Sequence, residues 1–222
     1  MEQIKIYKDF TIPLASMPGI GIVEISDSPT LGLPGMDVPY DIKIPNYFKC
    51  LELVEKSPFA DQRIARHCVK VAKVALDICA LLNKKILTSI NLDLVQAGAL
   101  VHDIARKEPD HAARGAGILR EMGFLAVADI VASHMDIYVD VRAPLNEREV
   151  VYFADKLTVN DRLCLDVEKR FKDKQIHLSN NPEAVEAIGN RLEAFSIIRE
   201  KLSIILGKDI VDALHDLSFK TR

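Results

Sequence analysis

From Asn46 onward, apolar residues recur at helical spacing. Over about Ala60–Asn83 the stripe is Ile64, Val71, Ala75, Ile78 and Leu82, at steps of three, four and seven, as one buried helix face requires. Asn46 is placed to cap a short helix ending near Ser57-Pro58, and Asn91 opens one through L-D-L-V-Q-A-G-A-L-V-H-D-I-A-R. In the latter, Gly98 and Ala99 permit close packing. Pro109-Asp110 starts a further helix, stopped by Gly123, and a short one runs from Phe124 to near His134. Met135 to Leu145 reads as an irregular loop. Asn146 caps N-E-R-E-V-V-Y-F-A-D-K-L, and beyond the mixed-charge stretch V-E-K-R-F-K-D-K a long amphipathic helix spans Pro182–Leu206, ended by Gly207 and followed by a last short helix. The pattern predicts an all-α, irregular helical bundle.

Residues 1–45 follow another rule. They hold six of the ten prolines and four of the ten glycines, and I-K-I-Y, G-I-V-E-I and Y-D-I-K-I alternate as half-buried β-strands do. The expected organisation is an N-terminal extension, 1–45, and a helical domain, 46–222, with C-terminal helices over 166–222. The extension is either packing material for that domain or an arm that covers the active site or binds a protein partner.

Composition narrows the function classes. No apolar run approaches the roughly 18 residues that span a bilayer, and no basic-then-apolar leader opens the chain, so a cytoplasmic protein with no membrane partner is expected. A net charge of -3 gives no footprint for a nucleic acid polymer. The four cysteines form no C-x-x-C pair; Cys68 and Cys79 fall in the helical apolar pattern and read as buried thiols, not zinc ligands. The Pro182–Leu206 helix is either core or the surface of a homo-oligomer.

The chemistry centres on His102-Asp103, two ligand-capable side chains inside an apolar run. Burying them is costly without a partner for both, and imidazole with carboxylate suits a divalent ion. His67, His111 and His134 lie on predicted helices in the same stretch, and Asp155 in the apolar centre of another; His177 and His215 stand apart. R-x-x-x-H-x-x-x-V-A at 63–72, A-L-V-H-D-I-A-R at 99–106, H-A-A-R-G-A-G-I at 111–118, I-V-A-S-H at 130–134 and V-Y-F-A-D-K-L at 151–157 together resemble the HD-domain superfamily of metal-dependent phosphohydrolases. The dinuclear bacterial enzymes that split dinucleoside tetraphosphates are the most similar subgroup. The resemblance covers about 60–160. Arg106 stands where family members often carry Lys, and H-M-D-I-Y follows His134 where that subgroup tends to have His-Thr.

The resemblance implies an HD-type bundle holding one or two divalent ions (Mn, Fe, Ni, Co or Mg). It implies His67, His102, Asp103 and Asp155 on the first ion, His111 and His134 on the second, and Asp103 as the bridge. The implied reaction is hydrolysis of a phosphoester or phosphoanhydride in a nucleotide or similar small molecule by metal-activated hydroxide. Asp103, Arg106 and Lys156 would be catalytic, and Arg63, Arg106, Arg114 and Lys156 would bind substrate. Two other classes share the fold: a dinuclear-iron HD oxygenase, and a non-catalytic HD module that binds a nucleotide or protein partner.

Overall fold

The structure, a computed structural model, describes residues 42–82 and 90–220. The two earlier expected strands lie outside the described residues, and Ile42–Ile44, the described part of the third, is not in a strand. Helices dominate the rest: α1 (Tyr47–Lys56), α2 (Gln62–Leu82), α3 (Leu92–Val101), α4 (His111–Glu121), α5 (Leu125–Ser133), α6 (Glu147–Lys156), α7 (Val167–His177), α8 (Pro182–Leu206) and α9 (Ile210–Lys220). One antiparallel hairpin, β1 (Thr158–Val159) and β2 (Arg162–Leu163), interrupts them. The fold is all-α.

The helix ends are set by local chemistry. Asn46, Asn91, Asn146 and Asn181 each accept a hydrogen bond from the backbone N–H three residues on, satisfying a donor the helix leaves orphaned. Asp61 does the same for α2 through the N–H groups of Arg63 and Ile64. Gly207 closes α8 at a φ of 75°, which a side chain would resist.

Helix α2 is the central strut, packed against α3 and α6, with α4 on α5 and α8 on α6 and α7. Its predicted stripe is buried throughout. Phe153 of α6 stacks on Phe195 of α8, ring centroids 4.5 Å apart. Cys50, Cys68 and Cys79 are buried free thiols.

Gly98 lets α3 approach α5. A Cβ there would stand 2.7 and 2.8 Å from two carbons of the buried Ile130 side chain and 3.1 Å from its Cβ. Overpacking of this kind costs about 1–3 kcal/mol, while Ala gains about 1 kcal/mol of helix propensity over Gly. The contact to the immobile Ile130 Cβ puts the cost at the upper end. Gly98→Ala is expected to lose about 2 kcal/mol net, read as a lowered midpoint in thermal or urea unfolding.

The structure corrects the predicted span of the third helix. Helix α3 stops at Val101, and residues 102–107 are tight turns bonded from Ile104 N to Val101 O and from Arg106 N to Asp103 O. Continuous α-helix would splay His102 and Asp103 by roughly 100°. The tighter winding instead leaves His102 Nε2 3.7 Å from Asp103 Oδ2.

Candidate metal centre

Six side chains from five segments converge. His67 comes from the second turn of α2, His102 and Asp103 from the turn after α3, and His111 is the first residue of α4. His134 caps the C-terminus of α5, and Asp155 sits in the last turn of α6. Their donor atoms form two groups, each within 4.8 Å: His67, His102 and Asp155, and Asp103, His111 and His134. Asp103 faces both. Its Oδ1 lies 3.3 Å from His134 Nε2 and 3.4 Å from His111 Nε2, while Oδ2 is the oxygen nearer His102.

Backbone carbonyls fix which ring nitrogen points inward. His102 Nδ1 lies 2.8 Å from Ala99 O, His134 Nδ1 2.7 Å from Val131 O, and His67 Nδ1 2.6 Å from Asn160 O. A carbonyl only accepts, so each Nδ1 carries the proton and each Nε2 turns its lone pair to the site when the ring is neutral. For His102 and His134 the carbonyl belongs to the residue three back in the same helix end. For His67 it comes from the turn between β1 and β2, where Asn160 adopts a φ of 55°. Asn is among the few residues that tolerate this conformation.

Three of the inward atoms lack partners. His102 Nε2, His134 Nε2 and Asp103 Oδ1 are buried with no hydrogen bond, a costly state for polar atoms. His67 Nε2 and His102 Nε2 stand 3.2 and 3.5 Å from Asp155 Oδ1. Two ligand atoms about 2.1 Å from one metal ion, at the angles of a tetrahedron or octahedron, are roughly 3.0–3.4 Å apart. The observed separations therefore suit a shared cation better than direct hydrogen bonds, which cluster near 2.9 Å.

The electrostatics carry the same signature. Burial opposes ionisation of Asp103, yet His102, His134 and Arg106 hold its carboxyl well below the usual range. Asp155 is likewise held down against burial by Lys156, His102 and His67. Burial, with His134 and Arg106 outweighing Asp103, pushes His111 down to about 4, and burial also lowers His134. His102 alone is raised: burial opposes it, but Cys68, Asp103 and Asp155 prevail. The cluster calls for positive charge at its centre while keeping His111 and His134 neutral. These residues fit a divalent metal.

The basic residues divide. Arg63, Arg106 and Lys156 line a cavity of about 370 Å³ over the cluster. Arg106 is half-exposed, 2.9 Å from His111 Nε2 and 3.6 Å from Asp103 Oδ2. Lys156 is buried and already committed, donating to Asp155 Oδ2 at 2.6 Å and His134 O at 2.8 Å, with its ammonium over the Tyr152 ring. Its geometry is that of a brace for two cluster residues at the cavity wall. Arg114 is not brought to the cavity, because it lies on the exposed side of α4 with its guanidinium over Phe59. Sequence reading missed Arg170, Lys174 and Arg191, which also line the cavity. The i, i+4 spacing of Arg170 and Lys174, which puts both on one helix face, was the available signal.

Residues 64–160 match the family model for the HD domain. The chain contains an HD domain. It is also similar to the tRNA (cytidine(56)-2'-O)-methyltransferase of Picrophilus torridus, 29% identical over 195 residues that cover 78% of this chain and 51% of the relative. The enzyme of the same name from Thermoplasma volcanium is 29% identical over 184 residues, covering 75% and 49%. The chain thus spans about half the length of these curated relatives. No solved structure matches it. Among the described residues, no helix is long and apolar enough to cross a membrane.

Proposed function

We propose that this HD domain is a metal-dependent phosphohydrolase acting on a phosphoester or phosphoanhydride of a small molecule such as a nucleotide. The observation that carries the reading is the pair of His and Asp groups with orphaned inward atoms, set under a cavity walled by cations. His67, His102 and Asp155 would hold one divalent ion, His111 and His134 a second, and Asp103 would present an oxygen to each. Bound there, the metal would supply Lewis-acid activation of a phosphoryl oxygen and of water.

The chain's own residues prepare that chemistry. The carbonyls of Ala99, Val131 and Asn160 hold three rings in the ligating tautomer, and Lys156 holds Asp155 so that Oδ1 stays inward. Arg106 is the solvent-reached cation beside the cluster. A half-exposed guanidinium at the cavity wall can turn its fork to a phosphoryl group and offset the charge that develops there. Arg63, from the first turn of α2, supports the same charge from the cavity wall. The methyltransferase name of the relatives belongs to longer chains, about half of whose length is matched here, and gives no account of four histidines and two aspartates gathered in one cluster.

The test is elemental analysis of the full chain purified without chelator and after reloading with manganese or iron, followed by a panel of phosphomonoesters and nucleoside polyphosphates. Two ions per chain and phosphate release are the expected result. A chain that takes up no ion even after reloading ends this reading.

A further inference from the structure

Three cations on the cavity wall, Arg63 and the neighbouring Arg170 and Lys174, have no acid within ion-pair distance among the described residues. Of the six cationic residues that line the cavity, Lys156 pairs with Asp155, Arg106 with Asp103, and Arg191 with Asp136 through two bonds of 2.7 and 2.9 Å. Arg170 and Lys174, one turn apart on α7, have no carboxylate within ion-pair distance among the described residues. Arg170 is the more telling. Its Nη2 donates to Lys156 O, but its Nε and Nη1 are out of solvent with no partner at all. A guanidinium buried with idle donors is expensive unless something complements it.

The neighbourhood sharpens what that something is. Partial burial, followed by Arg170, Lys156, Arg191 and Arg106, lowers the Lys174 pKa, so several cations crowd one spot. Phe171 and Ile188 supply apolar wall beside them. All these residues except Lys156 and Arg106 follow residue 160, beyond the stretch matched by the HD family.

We propose that Arg170 and Lys174, edged by Arg191, form an anion subsite for a second phosphoryl group of the substrate, so that the substrate is a diphosphate or longer polyphosphate and not a monophosphate ester. The subsite itself needs no metal, whereas its use as a second phosphoryl site rests on the phosphohydrolase reading for what occupies the first. The idle Nε and Nη1 lie on different edges of the Arg170 guanidinium, so each can give a hydrogen bond to a phosphoryl oxygen, and a lysine beside it adds a point charge.

The probe is methylenediphosphonate, which carries two phosphoryl groups and resists hydrolysis, titrated calorimetrically into the full chain. In chelator the wild type should bind it, and Arg170→Gln/Lys174→Gln should bind at least tenfold more weakly. Lys174→Gln alone, whose ammonium makes no hydrogen bond or ion pair among the described residues and only lies over the Phe171 ring, should show a severalfold loss and keeps the test open should the double variant fail to fold. Unchanged affinity in a folded variant overturns the subsite. In the manganese-loaded protein the double variant should again lose at least tenfold for the probe but less than threefold for orthophosphate. Equal losses for both ligands overturn the two-phosphoryl assignment. A wild type that takes no manganese defeats the phosphohydrolase reading, while the chelator titration still decides the subsite. An oligoribonucleotide bound more tightly than the probe, with the same dependence on Lys174, would overturn the small-ligand assignment.

Discussion

Asp103→Asn is expected to abolish metal binding and hydrolysis together while the helices stay folded. The substitution keeps the side chain's shape but removes its charge and replaces one acceptor oxygen with a donor amide. That amide would face lone pairs on His111 and His134, where Asp103 Oδ1 now stands at 3.4 and 3.3 Å. Supporting residues around a metal typically cost roughly 10–100-fold in affinity or activity when lost. Asp103 faces both ligand groups, so its loss should exceed that range. The readout need not be catalytic: metal at a hundred times its dissociation constant stabilises a folded site by about 2.7 kcal/mol, which the wild type should show as a rise in Tm and the variant should not. A variant that keeps both its metal and its Tm rise removes Asp103 from the centre.

Much of this site was legible in the sequence because its parts sit where local chemistry is strong. The α2 stripe carried His67 in register, asparagine caps fixed the starts of α1, α3 and α6, and Gly123 and Gly207 marked stops. What stayed hidden depends on tertiary structure. The turn at 102–107 carries neither Gly nor Pro, so nothing local announced the end of α3; its helical pattern continued while the backbone tightened to bring Asp103 beside His102. Lys156 looks like any surface cation in a last helical turn, and only packing shows it enclosed between Asp155, His134 and Tyr152. The Asn160 carbonyl that orients His67 belongs to a hairpin of two-residue strands, too short to leave an alternating pattern. Arg170 and Lys174 were visible as charges, but a charge run usually reads as a solvated face until the cavity beside it is seen.

The largest loss of stability is expected at Lys201, far along the sequence from any of the six cluster residues. Glu149 occupies the third position of α6, where Asn146 accepts its N–H and an acid favours the helix dipole; a glutamate in a first helical turn is ordinarily solvated. It is instead 2% exposed, and Lys201 of α8 reaches both its carboxylate oxygens at 2.8 Å while also donating to Asp140 O at 3.2 Å. One ammonium thus joins α6, α8 and the segment between α5 and α6. Removing one partner of a buried pair strands the other charge and costs roughly 3–5 kcal/mol, whereas replacing both with apolar groups of similar volume is often neutral. Lys201→Ala should therefore lower Tm by roughly 6–20 °C for a chain of this size, and Glu149→Leu/Lys201→Met should recover most of that loss. Both variants, assayed below their midpoints, should keep wild-type metal content, because neither residue contributes to the His and Asp groups. A Lys201→Ala loss below about 1 kcal/mol, the range of exposed pairs, would mean that water reaches Glu149 and that this clamp does not hold α6 against α8.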